Sequence, residues 1–172
     1  MEDGHAGAVN RTGWGPGPWD GEPDQRVWLH AGMLCAAIRK PVGFLCRYVA
    51  LPQGHPDFGN DYNNSAGVDV HGGLTYAQHP PYDLFGGMIL SNHLAYYWVF
   101  GFDCAHSGDL SPGIARFALI VPRYEAVYRT LAYVTREVNA MANQLNLAWP
   151  ARAAARKVPL FEEPKTGRKI TL

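Results

Sequence analysis

The side chains able to do chemistry gather in two short stretches. Val68-Asp69-Val70-His71-Gly72-Gly73-Leu74-Thr75-Tyr76 carries a carboxylate and an imidazole two residues apart, and Phe100-Gly101-Phe102-Asp103-Cys104-Ala105-His106-Ser107-Gly108-Asp109 carries two carboxylates, a thiol and a second imidazole. Imidazoles that titrate near neutrality beside carboxylates suit general acid–base work. His71 and His106 could serve as base and acid, with Asp69, Asp103 or Asp109 orienting an imidazole or holding a divalent metal, for hydrolysis of a phosphodiester or glycosidic bond. Neither histidine lies in the H-x-T repeat of two-histidine phosphoesterases, and no H-x-E or H-E-x-x-H is present. Cys104-Ala105-His106 pairs two soft ligands, but no second Cys/His pair has zinc spacing, so no metal and no cofactor is expected.

Both stretches read as strands. Alternation puts Asp69, His71, Gly73 and Thr75 on one face of the first, with Val68, Val70, Leu74 and Tyr76 on the other. In the second, read as extended from Tyr97 to Asp109, Trp98, Phe100 and Phe102 oppose Tyr97, Val99, Gly101 and Asp103. Asp103 is therefore expected to meet Asp69 and His71 on one side of a sheet, where Gly73 and Gly101 leave a hollow.

Further strands are expected at Arg26–His30, Met33–Ile38 and Gly43–Ala50, short β-rich runs broken by Gly and Pro. Arg47, on the last of them, is a candidate cation for the polar face, or else a surface arginine lying along the sheet. The long connection Leu51–Ser65 brings His55, Asp57, Phe58, Asp61 and Tyr62 towards the His71 strand, and loops of this length are usually functional or disordered. Ala77–Leu94, with Pro80-Pro81 and Gly86-Gly87, reads as an irregular excursion. From Arg123 to Leu147, the spacing Val127, Leu131, Val134, Val138, Met141, Leu145 makes one apolar helical stripe, and Pro122 stands at its start. The expected fold is α+β: an antiparallel sheet of four or five strands with one long C-terminal amphipathic helix on one face. Because one helix covers one face, the other is left to solvent, to loops or to a second subunit, and a homo-oligomer, most simply a dimer, is expected.

The 172 residues, 47% of them hydrophobic, suffice for one core and one domain. Residues 1–23 form a Gly/Pro-rich arm around Trp14 and Trp19, either a strap pinned by its indoles or a lid, and 150–172 a polar tail. Fifteen basic residues balance fifteen acidic ones, which disfavours duplex nucleic acid and anionic membranes as partners while leaving a small anionic ligand open. No apolar run reaches the length of a membrane span, and Met1-Glu2-Asp3-Gly4-His5 does not open a signal peptide. Three cysteines without C-x-x-C spacing fit a reducing compartment, with Cys35 and Cys46 acting as small hydrophobes.

At Gly54-His55-Pro56, Val68–Thr75 and Phe100–Asp109 the chain resembles a family of small proteins encoded in bacteriophage and bacterial genomes. The likeness runs from Trp14 through the helix. It implies a cytoplasmic location, that of the host if the protein is viral, and it brings no reaction and no catalytic residue with it. A phage-type protein with an aromatic-rich, charge-neutral core also resembles the sponges with which phages sequester nucleotide signals of bacterial immunity. On that expectation Arg47, His55, Phe58, Tyr62, Asp69, His71, Thr75 and Asp103 line a site for a nucleotide-like ligand that is bound without cleavage. Trp14, Trp19, Phe58, Tyr62 or Tyr97 would stack on a base, and Arg47, Thr75 and backbone N–H groups would meet phosphate or ribose. The alternative is the His/Asp hydrolase.

Overall fold

A computed structural model describes residues 8–64, 67–115 and 126–148. Among the described residues, β-branched and aromatic residues in runs interrupted by glycine give five strands: β1 Gln25–His30, β2 Met33–Arg39, β3 Leu45–Pro52, β4 Tyr76–Gln78 and β5 Tyr97–Asp103. They form one antiparallel sheet in the order β1-β2-β3-β5-β4. Ala31 and Gly32, both at positive φ (50° and 76°), make the two-residue turn between β1 and β2, the geometry that matches the twist of a hairpin. A short helical turn, α1 (Pro112–Ala115), precedes the long helix α2 (Leu131–Ala148). The result is the expected α+β arrangement.

The helix is shorter than its stripe. Positions 123–125 lie outside the described residues, and Val127 is half exposed and pairs with Asp109 in an isolated parallel bridge. Helix begins only where backbone N–H groups find acceptors. The Leu131 N–H donates to the Glu22 carboxylate at 2.6 Å and the Tyr133 N–H to Thr130 Oγ1 at 3.2 Å, a side-chain cap aided by negative charge at the helix start. From there Leu131, Val134, Val138, Met141 and Leu145 are buried against Met33, Cys35, Val49, Leu51, Phe100 and Phe102, on one face of the sheet.

The second face is buried as well. Leu34, Ala36, Tyr48, Ala50 and Val99 pack under Leu84, Phe85 and Ile89 from the excursion that follows β4. Since a segment of the same chain covers that face, the argument for a second subunit there falls away. Trp14 and Trp19 are 5% and 6% exposed, set edge-to-face with each other, and Trp19 likewise with Tyr128. The arm is thus a strap and not a lid. It is tied by a buried ionic network in which Arg39 donates to Glu22 at 2.8 Å and to Asp24 at 2.9 Å, with Arg11 also on Asp24 and Tyr128 donating to Glu22 at 2.7 Å. Burial opposes ionisation of Asp24, but the bonds from Arg11, Val9 and Arg39 outweigh it and hold its carboxyl below the ordinary range. Among the described residues no helix is long and apolar enough to cross a membrane.

Candidate functional site

Two β-turns face each other beside the start of α2. Val70–Gly73 is closed by the Gly73 N–H on the Val70 carbonyl at 3.0 Å, and His106–Asp109 by the Asp109 N–H on the His106 carbonyl at 2.9 Å. Gly72 and Gly73 take φ of 73° and 81°, which extended residues cannot, so Val68–Thr75 is not the strand that alternation suggests and β4 holds only Tyr76–Gln78. Gly72 is required twice over. A Cβ there would lie 2.1–2.6 Å from three ring atoms of His106.

These turns bring together His71, His106 and Asp109. His71 Nε2 lies 2.8 Å from Asp109 Oδ2, the two imidazoles stand edge-to-face at 5.4 Å, and His106 Nδ1 is 3.6 Å from the same oxygen. The Asp109 carboxylate is 1% exposed and is held on every side: Arg129 Nε donates to Oδ1 at 2.7 Å and the His106 N–H to Oδ2 at 3.2 Å. Burial alone would raise its pKa, but the bonds from His71 and Arg129 prevail and keep it below the ordinary value, so Asp109 is a fixed anion. Tyr133, on the first turn of α2, places its hydroxyl 3.3 Å from His71 Nδ1. Both ring nitrogens of His71 are therefore engaged, in the order Asp109, His71, Tyr133.

Beneath this cluster lies Arg47. It is fully buried on the helix face, with its guanidinium 4.4 Å from the Phe102 ring and 5.8 Å from that of Tyr133, and none of its three nitrogens has a hydrogen-bond partner among the described residues. Burial pushes its pKa down to about 10, against the attraction of Tyr133, Glu137 and Asp109. Arg129 and Arg136 approach the same Tyr133 ring at 5.2 and 5.9 Å. Several cations and one fixed anion thus surround the phenol.

The other expected site residues go elsewhere. Asp103, at the end of β5, accepts from the Ala105 N–H at 2.9 Å and from Thr75 Oγ1 at 3.4 Å, with no bond to His71; because β5 stops at Asp103, His106 is free to swing to the helix side. Asp69 is exposed, and its backbone N–H and carbonyl bond Gln144 on α2 at 2.7 and 2.9 Å. His55 is buried with Nε2 3.0 Å from the Leu145 carbonyl and Nδ1 accepting the Asp57 N–H at 3.0 Å, so it caps the C-terminal end of α2. Tyr133 and Leu145 stand about 18 Å apart along the axis at ~1.5 Å per residue. His55 therefore does not wall His71 in. Phe58 packs on Trp98 and His79, Tyr62 is exposed, and the hollow expected at Gly101 is filled by the Tyr48 ring. Arg129 and Tyr133 have no motif of their own; only the i, i+4 spacing across the helix start, facing a buried cluster, could have marked them.

No family model, curated protein or solved structure matches this chain.

Proposed function

We propose that the protein hydrolyses a small phosphate-bearing, nucleotide-like molecule by acid–base chemistry at the His71–Asp109 site. The observation that carries this is the buried Asp109 carboxylate, pinned by Arg129 and by the His106 backbone, 2.8 Å from His71 Nε2. A carboxylate so placed fixes the tautomer and orientation of an imidazole and stabilises it once protonated. With Nε2–H directed at Asp109, Nδ1 presents its lone pair to the Tyr133 hydroxyl, and a proton leaving the reacting water can pass through that hydroxyl to His71. His106, whose ring is one-third exposed opposite His71, is the group that protonates the leaving oxygen. Arg129 and Arg136 border the place where a phosphate would lie.

Sequestration without cleavage is the second reading, favoured by Arg47: a fully buried guanidinium lacking a hydrogen-bond partner among the described residues is costly unless an anionic ligand completes it. Phage origin and the host cytoplasm belong to this proposal through the motif resemblance alone. Incubation of pure protein with a panel of mononucleotides, cyclic dinucleotides and nucleotide sugars, then heating and mass spectrometry, decides between them. Altered product, lost in Asp109→Asn, supports hydrolysis. Intact ligand released by heat supports sequestration, and no ligand retained or altered overturns both.

A further inference from the structure

The end of β5 brings a thiol to the site. The Sγ of Cys104, a carboxylate oxygen of Asp109 and a ring nitrogen of His71 all lie within 4.8 Å of one another. Cys104 follows β5 directly, 2% exposed, and its N–H donates to the Leu45 carbonyl at 3.1 Å, so its place is set by the sheet and not by a free loop. His106 Nδ1 is buried with no hydrogen-bond partner among the described residues and lies 3.6 Å from Asp109 Oδ2. An imidazole nitrogen left over beside a Cys/His/Asp triad is what a molecule bound to a metal ion there would satisfy.

We infer that His71, Cys104 and Asp109 form a three-ligand site for a divalent transition metal, zinc by the chemistry of the donors, with His106 Nδ1 placed to bond whatever fills the fourth position. The donor set of one thiolate, one imidazole and one carboxylate is borderline-soft, which favours zinc over magnesium or calcium. Ligand atoms around a tetrahedral zinc stand ~3.3 Å or more apart, given bonds of ~2.0–2.3 Å. The His71–Asp109 separation of 2.8 Å therefore opens by about half an ångström on binding. The surroundings suit that change. Arg129 holds the outer oxygen Oδ1, leaving Oδ2 for the metal, and the Tyr133 hydroxyl oxygen can accept from His71 Nδ1–H, the pattern that orients a ligating imidazole. Protons balance: His71 shifts its proton from Nε2 to Nδ1, and the Cys104 thiol releases one proton to solvent for each metal bound.

This inference rests on the hydrolytic reading of the site and changes two roles in it: His71 holds the metal, which activates the water that His71 would otherwise deprotonate, and Tyr133 accepts from His71 Nδ1–H instead of relaying a proton to it. The test uses the full chain, chelator-treated and then titrated with zinc or cobalt(II). The expected result is one equivalent bound, with a thiolate-to-cobalt charge-transfer band that disappears in Cys104→Ser and persists in Cys46→Ser. His71→Ala and Asp109→Asn should weaken binding at least tenfold. Should Cys104→Ser fail to fold, Cys104→His should keep the metal while losing the sulfur band. Absence of stoichiometric binding by the wild type, or a band that survives loss of Cys104, overturns the proposal. Turnover by chelated protein would remove the metal and leave hydrolysis standing, whereas tight metal binding without turnover of any ligand would do the reverse.

Discussion

Arg47→Met tests whether the buried guanidinium serves the fold or a ligand. Arg47 is fully buried between Phe102 and Tyr133, and burial lowers its pKa from the ordinary guanidinium range to about 10. At ~1.4 kcal/mol per pKa unit, this corresponds to about 3 kcal/mol against the charged form. Cation–π contact with the two rings offsets about 1–2 kcal/mol. The remainder, about 1–2 kcal/mol, is a net cost in the free protein, and methionine fills a similar space without charge. The variant should therefore be more stable by about 1–2 kcal/mol in urea unfolding followed by tryptophan fluorescence, with unchanged slope. Its affinity for the nucleotide that the wild type retains should fall at least tenfold, as loss of a charge-assisted hydrogen bond implies. Loss of more than about 2 kcal/mol of stability together with undiminished nucleotide binding would show that the charge is already compensated within the fold, and the argument from Arg47 would fail.

Glu22→Gln removes the anion that joins Arg39, Tyr128 and the start of α2, and should cost about 1.5–3 kcal/mol in thermal or chemical unfolding, Arg39 keeping Asp24 as its remaining carboxylate partner. Gly72→Ala places a methyl where the His106 ring lies and strains a φ of 73°, so it should destabilise by about 1–3 kcal/mol and shift the His106 ring resonances in NMR; unshifted resonances would mean that the turns are not in contact. Burial lowers the pKa of His55 from 6.5, against the Leu145 carbonyl and Asp57, so the unfolded chain binds the proton more readily. Its contribution to stability is complete above pH 6.5, falls as pH drops towards the folded-state value, and should vanish from the pH profile in His55→Gln.

How far the sequence could be read depended on whether neighbouring positions obey one period. Met33–Arg39 and Leu45–Pro52 lie in paired strands throughout, and alternation grouped Phe100 with Phe102, and Leu45 with Arg47 and Val49, as the structure does; but Arg47, expected on the polar face or along the surface, is buried on the helix face, because its whole row of β3 turns towards α2. Alternation failed at His71 because Gly72-Gly73 leaves extended geometry; after a turn, the next side chain no longer alternates, and His71 comes to the helix side while Asp103 stays on the other. The same failure assembled the site. Had Val68–Asp109 continued as two ideal strands, His106 would point away from Asp103 and no second imidazole would reach His71. The strand end at Asp103 and the paired glycine turns place His71, His106 and Asp109 within one hydrogen-bonded cluster. Arg129 and Tyr133 were illegible for a different reason. Their role depends on where α2 begins, and that is decided by Glu22 and Thr130, of which Glu22 belongs to an arm distant in the chain. An Arg11–Glu22–Arg39–Tyr128 network that sets the first turn of α2 therefore also sets the distance from Tyr133 to His71, which ties the geometry of the reactive centre to the strap that carries Trp14 and Trp19.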